Sequence, residues 1–132
     1  MKLIQMDGMN NTFFDMKFKK LSIIIPVYNE EKFINETIEQ VVKADSLGLK
    51  KEIIVIDDGS TDKTKLKVHK VIKFIKSKKK NTNIILIEKK NNEGKGAALK
   101  TGFIKSTGDI VLVQDSDLEY NPKDYPLLLK PF

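Results

Sequence analysis

Leu21-Ser22-Ile23-Ile24-Ile25-Pro26-Val27 is a nearly unbroken apolar run of strand length. Its lack of polar alternation is what a parallel strand covered on both faces requires. Polar residues follow at once. Asn29 stands where a helix cap belongs, and Glu30 and Glu31 lie in the following first turn, where negative charge suits the helix dipole. Phe33, Ile34, Ile38, Val41 and Val42 then give an apolar stripe at helical spacing. The pattern predicts a helix ending near Gly48.

The same unit recurs along the chain. Glu52-Ile53-Ile54-Val55-Ile56-Asp57 reads as a second buried strand, Asp58-Gly59-Ser60 as a turn with a cap, and Asp62 to Ser77 as a helix with Val68, Val71, Ile72 and Ile75 inward. Asn83 to Glu88 is a third strand. Asn91-Asn92-Glu93-Gly94-Lys95-Gly96 is a loop into a helix from about Ala97 to Lys105, and Gly108 precedes a fourth strand running to Asp115. Pro122 and Pro126 suit a short terminal helix if both lie in or before its first turn, with Asn121 or Asp124 as its cap. This rhythm of strand, helix and short loop predicts an α/β fold of three α/β/α layers around a mainly parallel sheet.

Length and composition bound the function. A chain of 132 residues is read as one domain, spanning 19–132, with residues 1–18 as a loose leader. Met1, Met6, Met9 and Met16 all precede the first strong element. The net charge of +6 rests on 24 lysines and no arginine, so the guanidinium fork typical of base-edge readout is missing and specific nucleic-acid recognition is not expected. Cysteine is absent, which excludes disulfides and thiolate chemistry and fits the expected cytoplasmic location. No apolar stretch reaches membrane-spanning length. Nine lysines between Lys63 and Lys80 make the second helix basic and amphipathic. Such a face is ordinarily just solvated; the alternative is contact with an anionic membrane surface. His69, the sole histidine, lies in this segment and is not expected to be catalytic.

Ligands of parallel sheets gather at the carboxyl ends of the strands. Three polar clusters of this chain fall there: Tyr28-Asn29-Glu30, Asp57-Asp58-Gly59-Ser60 and Asp115 to Glu119. In the last, Asp115-Ser116-Asp117 places two carboxylates at i and i+2, on one side of extended backbone, where they can share a hard cation such as Mg²⁺ or Mn²⁺. The competing explanation is local turn chemistry, since Asp readily bonds nearby backbone after a strand. Asp57 and Asp58 can accept from a base N–H or ribose hydroxyls, while Gly59 and Ser60 turn the chain. Lys95, flanked by Gly94 and Gly96 at a helix start, can meet a phosphate, although the P-loop spacing is absent.

Taken in order, four segments resemble the successive signatures of family 2 glycosyltransferases of the GT-A fold. They are Ser22-Ile23-Ile24-Ile25-Pro26-Val27-Tyr28-Asn29-Glu30, Ile56-Asp57-Asp58-Gly59-Ser60-Thr61-Asp62, Asn92-Glu93-Gly94-Lys95-Gly96-Ala97-Ala98 and Gln114-Asp115-Ser116-Asp117-Leu118. The nearest similarity is to the branch of dolichyl-phosphate mannosyltransferases and other polyprenyl-phosphate glycosyltransferases. The resemblance implies a Rossmann-like nucleotide-sugar-binding domain. It puts Pro26, Tyr28 and Glu30 beside the nucleotide, Asp58 (with Asp57 as second choice) on its base or ribose, and Lys95 and Ser116 in the donor pocket. Asp115 and Asp117 match the DxD motif that holds cation and donor diphosphate and form the catalytic pair, and Glu119 stands where some members have a further metal-contacting residue.

The chemistry so implied is transfer of a hexose from a nucleotide-diphosphate donor, GDP-mannose or UDP-glucose, with Mg²⁺ or Mn²⁺ neutralising the departing diphosphate. The acceptor is a polyprenyl phosphate or a glycan. A phosphate acceptor is already anionic and needs no strong base, whereas a sugar hydroxyl needs a carboxylate within reach. Resembling enzymes continue beyond the metal motif into an acceptor-binding half, while this sequence stops at Lys130-Pro131-Phe132. The expectation is therefore a fragment covering the donor half, with a partner chain as one source of the rest; peripheral contact at the cytoplasmic face of a membrane is the alternative to a merely solvated lysine face. Two other functions stay open. One is a non-catalytic nucleotide-sugar-binding module; the other, a metal-dependent phosphatase or phosphotransferase with one Asp as nucleophile, leaves the first three motifs without a role.

Overall fold

The structure, a computed structural model, describes residues 2–5, 18–117 and 121–132. Five strands form one sheet: β1 (Lys2–Gln5), β2 (Lys20–Val27), β3 (Lys50–Asp57), β4 (Asn83–Glu88) and β5 (Ile110–Val113), in the order β1-β5-β2-β3-β4. β2, β3, β4 and β5 are mutually parallel, and β1 runs antiparallel along the outer edge of β5, with Lys2 opposite Val113 and Gln5 opposite Ile110. The connections carry α1 (Ile34–Lys43), α2 (Thr64–Lys78) and α3 (Lys95–Lys105); after β5 come a 3₁₀ turn, Pro122–Asp124, and the short α4 (Tyr125–Leu129).

Alternation along the central strands splits the core in two. Leu21, Ile23, Ile25 and Val27 of β2 face Ile34, Ile38 and Val41 of α1, Val68, Val71 and Ile75 of α2, and Tyr125 and Leu129 of α4. Ile24, Ile54, Ile56 and Val111 face the other way, against Ala98, Leu99 and Phe103 of α3. The apolar runs thus lack polar alternation because both faces are covered, as the three-layer reading requires. Each fully buried Ile contributes about 2 kcal/mol. α3 lies close to the sheet at Gly102, where an added Cβ would stand 2.6 Å from Cγ2 of Ile24.

Pro26 sits in a central strand without costing a ladder bond. The carbonyl of Ile24 accepts from the N–H of Gln114 on the β5 side. Pro26, two residues on, turns its donorless nitrogen to that same side, where β5 has already ended at Val113. The early end of β5 leaves a notch beside the carboxyl end of β2.

At the opposite end of the sheet, Glu52 ties three segments together. Its carboxylate accepts from Ser22 Oγ (2.7 Å), Thr107 N (2.8 Å) and Thr107 Oγ1 (2.8 Å), and Lys20 Nζ lies 3.2 Å away. Burial acts to raise the Glu52 pKa, but these hydrogen bonds outweigh it and hold the group below its ordinary 4.5.

Several local expectations need correction. Lys2–Gln5 is not part of a loose leader but an edge strand, paired along the free side of β5. Asn29 does not cap α1: it has φ +50°, and its Oδ1 accepts from Thr61 N (2.8 Å) and Asp62 N (3.3 Å) in the next loop. Glu30 O takes over the helix entry, accepting from Phe33 N and Ile34 N. α1 stops at Lys43 rather than near Gly48, because Ala44 has extended backbone and Lys51 Nζ donates to the carbonyls of Val41 (3.0 Å) and Ala44 (2.7 Å). Asp115 lies beyond β5. Asn121 caps the terminal turn as expected, accepting from Lys123 N at 2.9 Å, with Pro122 and Pro126 both at helix starts.

Candidate functional site

The notch beside β2 opens into a cleft of ≈ 320 Å³ at the carboxyl ends of the strands. Its walls come from four chain segments: Pro26, Val27, Tyr28 and Glu30 after β2, Asp58 after β3, Asn92, Gly94, Lys95 and Ala98 at the entry to α3, and Asp115, Ser116 and Asp117 after β5.

Tyr28 stands at the rim with 43% of its surface exposed, an aromatic face available for stacking. The Glu30 N–H donates to Thr64 Oγ1 at 2.9 Å, fixing this loop on the start of α2. Burial, followed by the negative charges of Asp117 and Asp62, raises the Glu30 pKa above its ordinary 4.5. The cleft therefore concentrates negative charge on the side of Glu30 and Asp117.

Positive charge enters from the other wall. Lys95 is the first residue of α3, and its ammonium donates to the Asp115 carboxylate. α3 begins without a side-chain cap, behind Gly94 at φ +100°. An uncapped helix start and a lysine together favour an anion here.

The two adjacent acids after β3 part company. Asp58 is buried and reaches the cleft, but both its oxygens are engaged: Oδ1 accepts from Glu93 N (2.9 Å) and Oδ2 from Gly94 N (2.8 Å). It thereby staples the α3 entry loop to the end of β3, with Lys89 Nζ 3.8 Å from Oδ1. Gly59 makes the approach possible. At φ +74°, a Cβ there would lie 2.6 Å from Asn91 C and Asn92 N. Asp57 is not brought to the cleft: it is fully buried, its Oδ2 accepts from Ser60 N at 3.0 Å, and its Oδ1 has no partner among the described residues. Asp57 is not among the residues that line the cleft.

Asp115 and Asp117 stand on one wall. Among the described residues no three acidic or histidine side chains form a metal-ligand group, and the expected third contact, Glu119, lies outside the described residues. Two carboxylates still fit a hard divalent cation that completes its shell with water and phosphate oxygens. Glu30, whose pKa is raised first by burial and then by the charges of Asp117 and Asp62, adds a further acidic group to this wall. His69 pairs with Glu88 on the outer surface at 3.3 Å and takes no part in the cleft.

Sequence reasoning missed Asn92, Gly94 and Ala98 as wall residues, although the motif containing them was recognised. It also missed Thr37 and Tyr125, which bond to the segment around Asp115 and Asp117 from α1 and α4. No local pattern marks either one, because both contacts depend on packing between distant elements.

Four parallel strands with flanking helices and a polar cleft at the strands' carboxyl ends make this an α/β domain of the GT-A type. The sequence matches the glycosyl transferase family 2 profile over residues 22–132, and the chain belongs to that family. Among solved structures it is similar to a Pyrobaculum calidifontis mannosyltransferase in complex with GDP-Man and Mn²⁺ (28% identity, TM-score 0.68, 80% of this chain and 29% of that one). It is also similar to Staphylococcus aureus TarS (28%, TM-score 0.65, 85% and 31%). A third similar structure is glucosyl-3-phosphoglycerate synthase of Mycobacterium tuberculosis with Mn²⁺, UDP and phosphoglyceric acid (26%, TM-score 0.66, 86% and 38%). The chain spans about a third of the length of each.

Proposed function

We propose that the cleft binds a nucleotide-diphosphate sugar, GDP-mannose or UDP-glucose, and serves transfer of its hexose to a polyprenyl phosphate or glycan. The observation that carries this reading is the convergence of Asp115, Asp117, Lys95, Glu30 and Tyr28 on one cleft, with carboxylates on one wall and a cationic helix start opposite. Complexes of similar structures with GDP-Man, UDP and Mn²⁺ support it.

Bound there, Mg²⁺ or Mn²⁺ would offset the charge growing on the departing diphosphate. Asp115 and Asp117 would hold the cation, Lys95 and the first N–H groups of α3 would meet phosphate oxygens, and Tyr28 and Pro26 would flank the nucleotide. Asp58 acts mainly by shaping the loop that presents Gly94 and Lys95. Ser116 is buried between the two aspartates, so in this reading it sets their spacing. In this reading residues 19–132 supply the donor-binding part of the reaction centre.

The outward face of α2 is the surface we assign to peripheral contact with an anionic membrane at its cytoplasmic side. Leu66 and Phe74 are 52% and 56% exposed there among the lysines. No helix among the described residues is long and apolar enough to cross a membrane.

Calorimetric titration with GDP-mannose and UDP-glucose, with Mn²⁺ and after chelation, tests the donor site. Asp115→Ala and Asp117→Ala are expected to abolish the metal-dependent component and His69→Ala to leave it intact. Equal loss in all three would remove the site assignment. Binding without sugar transfer in the presence of acceptor would favour a donor-binding module over a complete enzyme.

A further inference from the structure

The metal-motif segment lies beyond the sheet. β5 ends at Val113, and the last ladder bond on the β2 side is Gln114 N–H to the carbonyl of Ile24, at 2.9 Å. Asp115, Ser116 and Asp117 lie beyond the last residue of β5 and outside its ladder with β2. Carboxylates that must share one cation tolerate little backbone drift, so other contacts have to supply the rigidity.

Two buried contacts do so, from opposite directions in the sequence. Thr37, in the middle of α1 and fully buried, donates from Oγ1 to the carbonyl of Ser116 at 2.7 Å. That hydroxyl is also within 3.1 Å of the Phe33 carbonyl one turn earlier, which limits its rotation. On the other side, Tyr125 at the start of α4 donates its hydroxyl to Gln114 Oε1 at 2.7 Å, and Gln114 Nε2 donates to the carbonyl of Asp115 at 3.2 Å. Tyr125 and Gln114 are both fully buried, and burial pushes the Tyr125 pKa far up, so its hydroxyl remains a donor. The Tyr125 contact also fixes the Gln114 amide: with Oε1 accepting, Nε2 is left to point at the backbone. The carbonyls of Asp115 and Ser116, which belong to the two peptide groups linking the carboxylate residues, are therefore held, Ser116 from α1 and Asp115 from α4 through Gln114.

We propose that Thr37 and Tyr125 are positioning residues for the cation-binding carboxylates, with α1 and α4 clamping the Asp115–Asp117 backbone so that both side chains present at one spacing. The inference rests on the donor-site reading above. Neither residue touches the cleft, so each acts only through the backbone it holds.

The test uses the full chain and three variants: Thr37→Val, which keeps shape and removes the donor, Thr37→Ser, which restores the donor, and Tyr125→Phe, which removes only the hydroxyl. Amide hydrogen exchange at residues 115–117 needs neither metal nor nucleotide. It is expected to quicken in Thr37→Val and Tyr125→Phe and return toward the parent rate in Thr37→Ser. Mn²⁺ titration in the presence of GDP or UDP is expected to weaken about tenfold in the first two variants, as for other groups that orient metal ligands, while nucleotide binding under chelation stays within about twofold. Unchanged exchange and unchanged Mn²⁺ affinity beside a lowered melting temperature would overturn the proposal and leave both as ordinary core residues. Absence of Mn²⁺-dependent binding in the unmodified chain would instead overturn the donor-site reading, and the ligand-positioning role with it, whatever the exchange rates show.

Discussion

Lys95 and Asp115 pair in the cleft, which gives the lysine two opposed effects. In the proposed donor site it would compete with a cation for the Asp115 carboxylate, and it would supply positive charge to attract a diphosphate. Lys95→Met is therefore expected to strengthen binding of Mn²⁺ alone by up to about fivefold, the scale of one partly exposed ion pair, while weakening metal-dependent donor binding. Separate titrations of metal and donor read the two signs; a variant weaker toward both would show that the lysine does not compete with the cation. The cleft residues Tyr28, Glu30, Lys95, Asp115, Ser116 and Asp117 were legible because they lie just past a strand or open a helix, and Pro26 because it falls at the carboxyl end of β2. Asp57 and Asp58 were not separable. Adjacent carboxylates at a strand end leave on opposite sides, and only the β3–α3 packing shows that Asp58 meets the Glu93 and Gly94 amides while Asp57 is sealed beneath.

Among the elements, the apolar runs located the four parallel strands well, since buried central strands have little freedom in composition. Helix starts were less legible. A residue suited to capping was present at Asn29, but its side-chain oxygen accepts from Thr61 and Asp62 in the next loop instead, a choice made by loop packing. The Glu52 junction has a measurable acid signature. Its folded pKa lies below 4.5, so the stability it contributes is fully present above about pH 4.5 and is lost as pH falls through the lower folded value. Glu52→Gln is expected to cost roughly 1–3 kcal/mol at neutral pH, because Lys20 and the Thr107 and Ser22 donors lose their ionised acceptor, and to flatten the acid limb of the unfolding curve. Denaturant melts from pH 3 to pH 7 decide it; an acid limb as steep as the parent's would assign the dependence to other carboxylates.

Charge is unevenly distributed over the whole molecule. Nine of the 24 lysines fall between Lys63 and Lys80, a stretch with no carboxylate, so the rest of the chain carries 15 lysines against all 18 acidic residues. Joint replacement of Lys70, Lys73 and Lys76 by Gln is expected to abolish binding to vesicles containing phosphatidylglycerol, with little effect on donor titration, and added salt should weaken the parent's binding. Co-sedimentation with anionic and neutral vesicles separates this from a merely solvated face, which would bind neither. β1 has a different kind of consequence, for the gene rather than the fold. A polypeptide initiated at Met6, Met9 or Met16 would lack Lys2–Gln5 and leave β5, four residues long, with β2 as its one strand neighbour among the described residues. The choice of initiation codon would then govern how firmly the segment bearing Asp115 and Asp117 is seated.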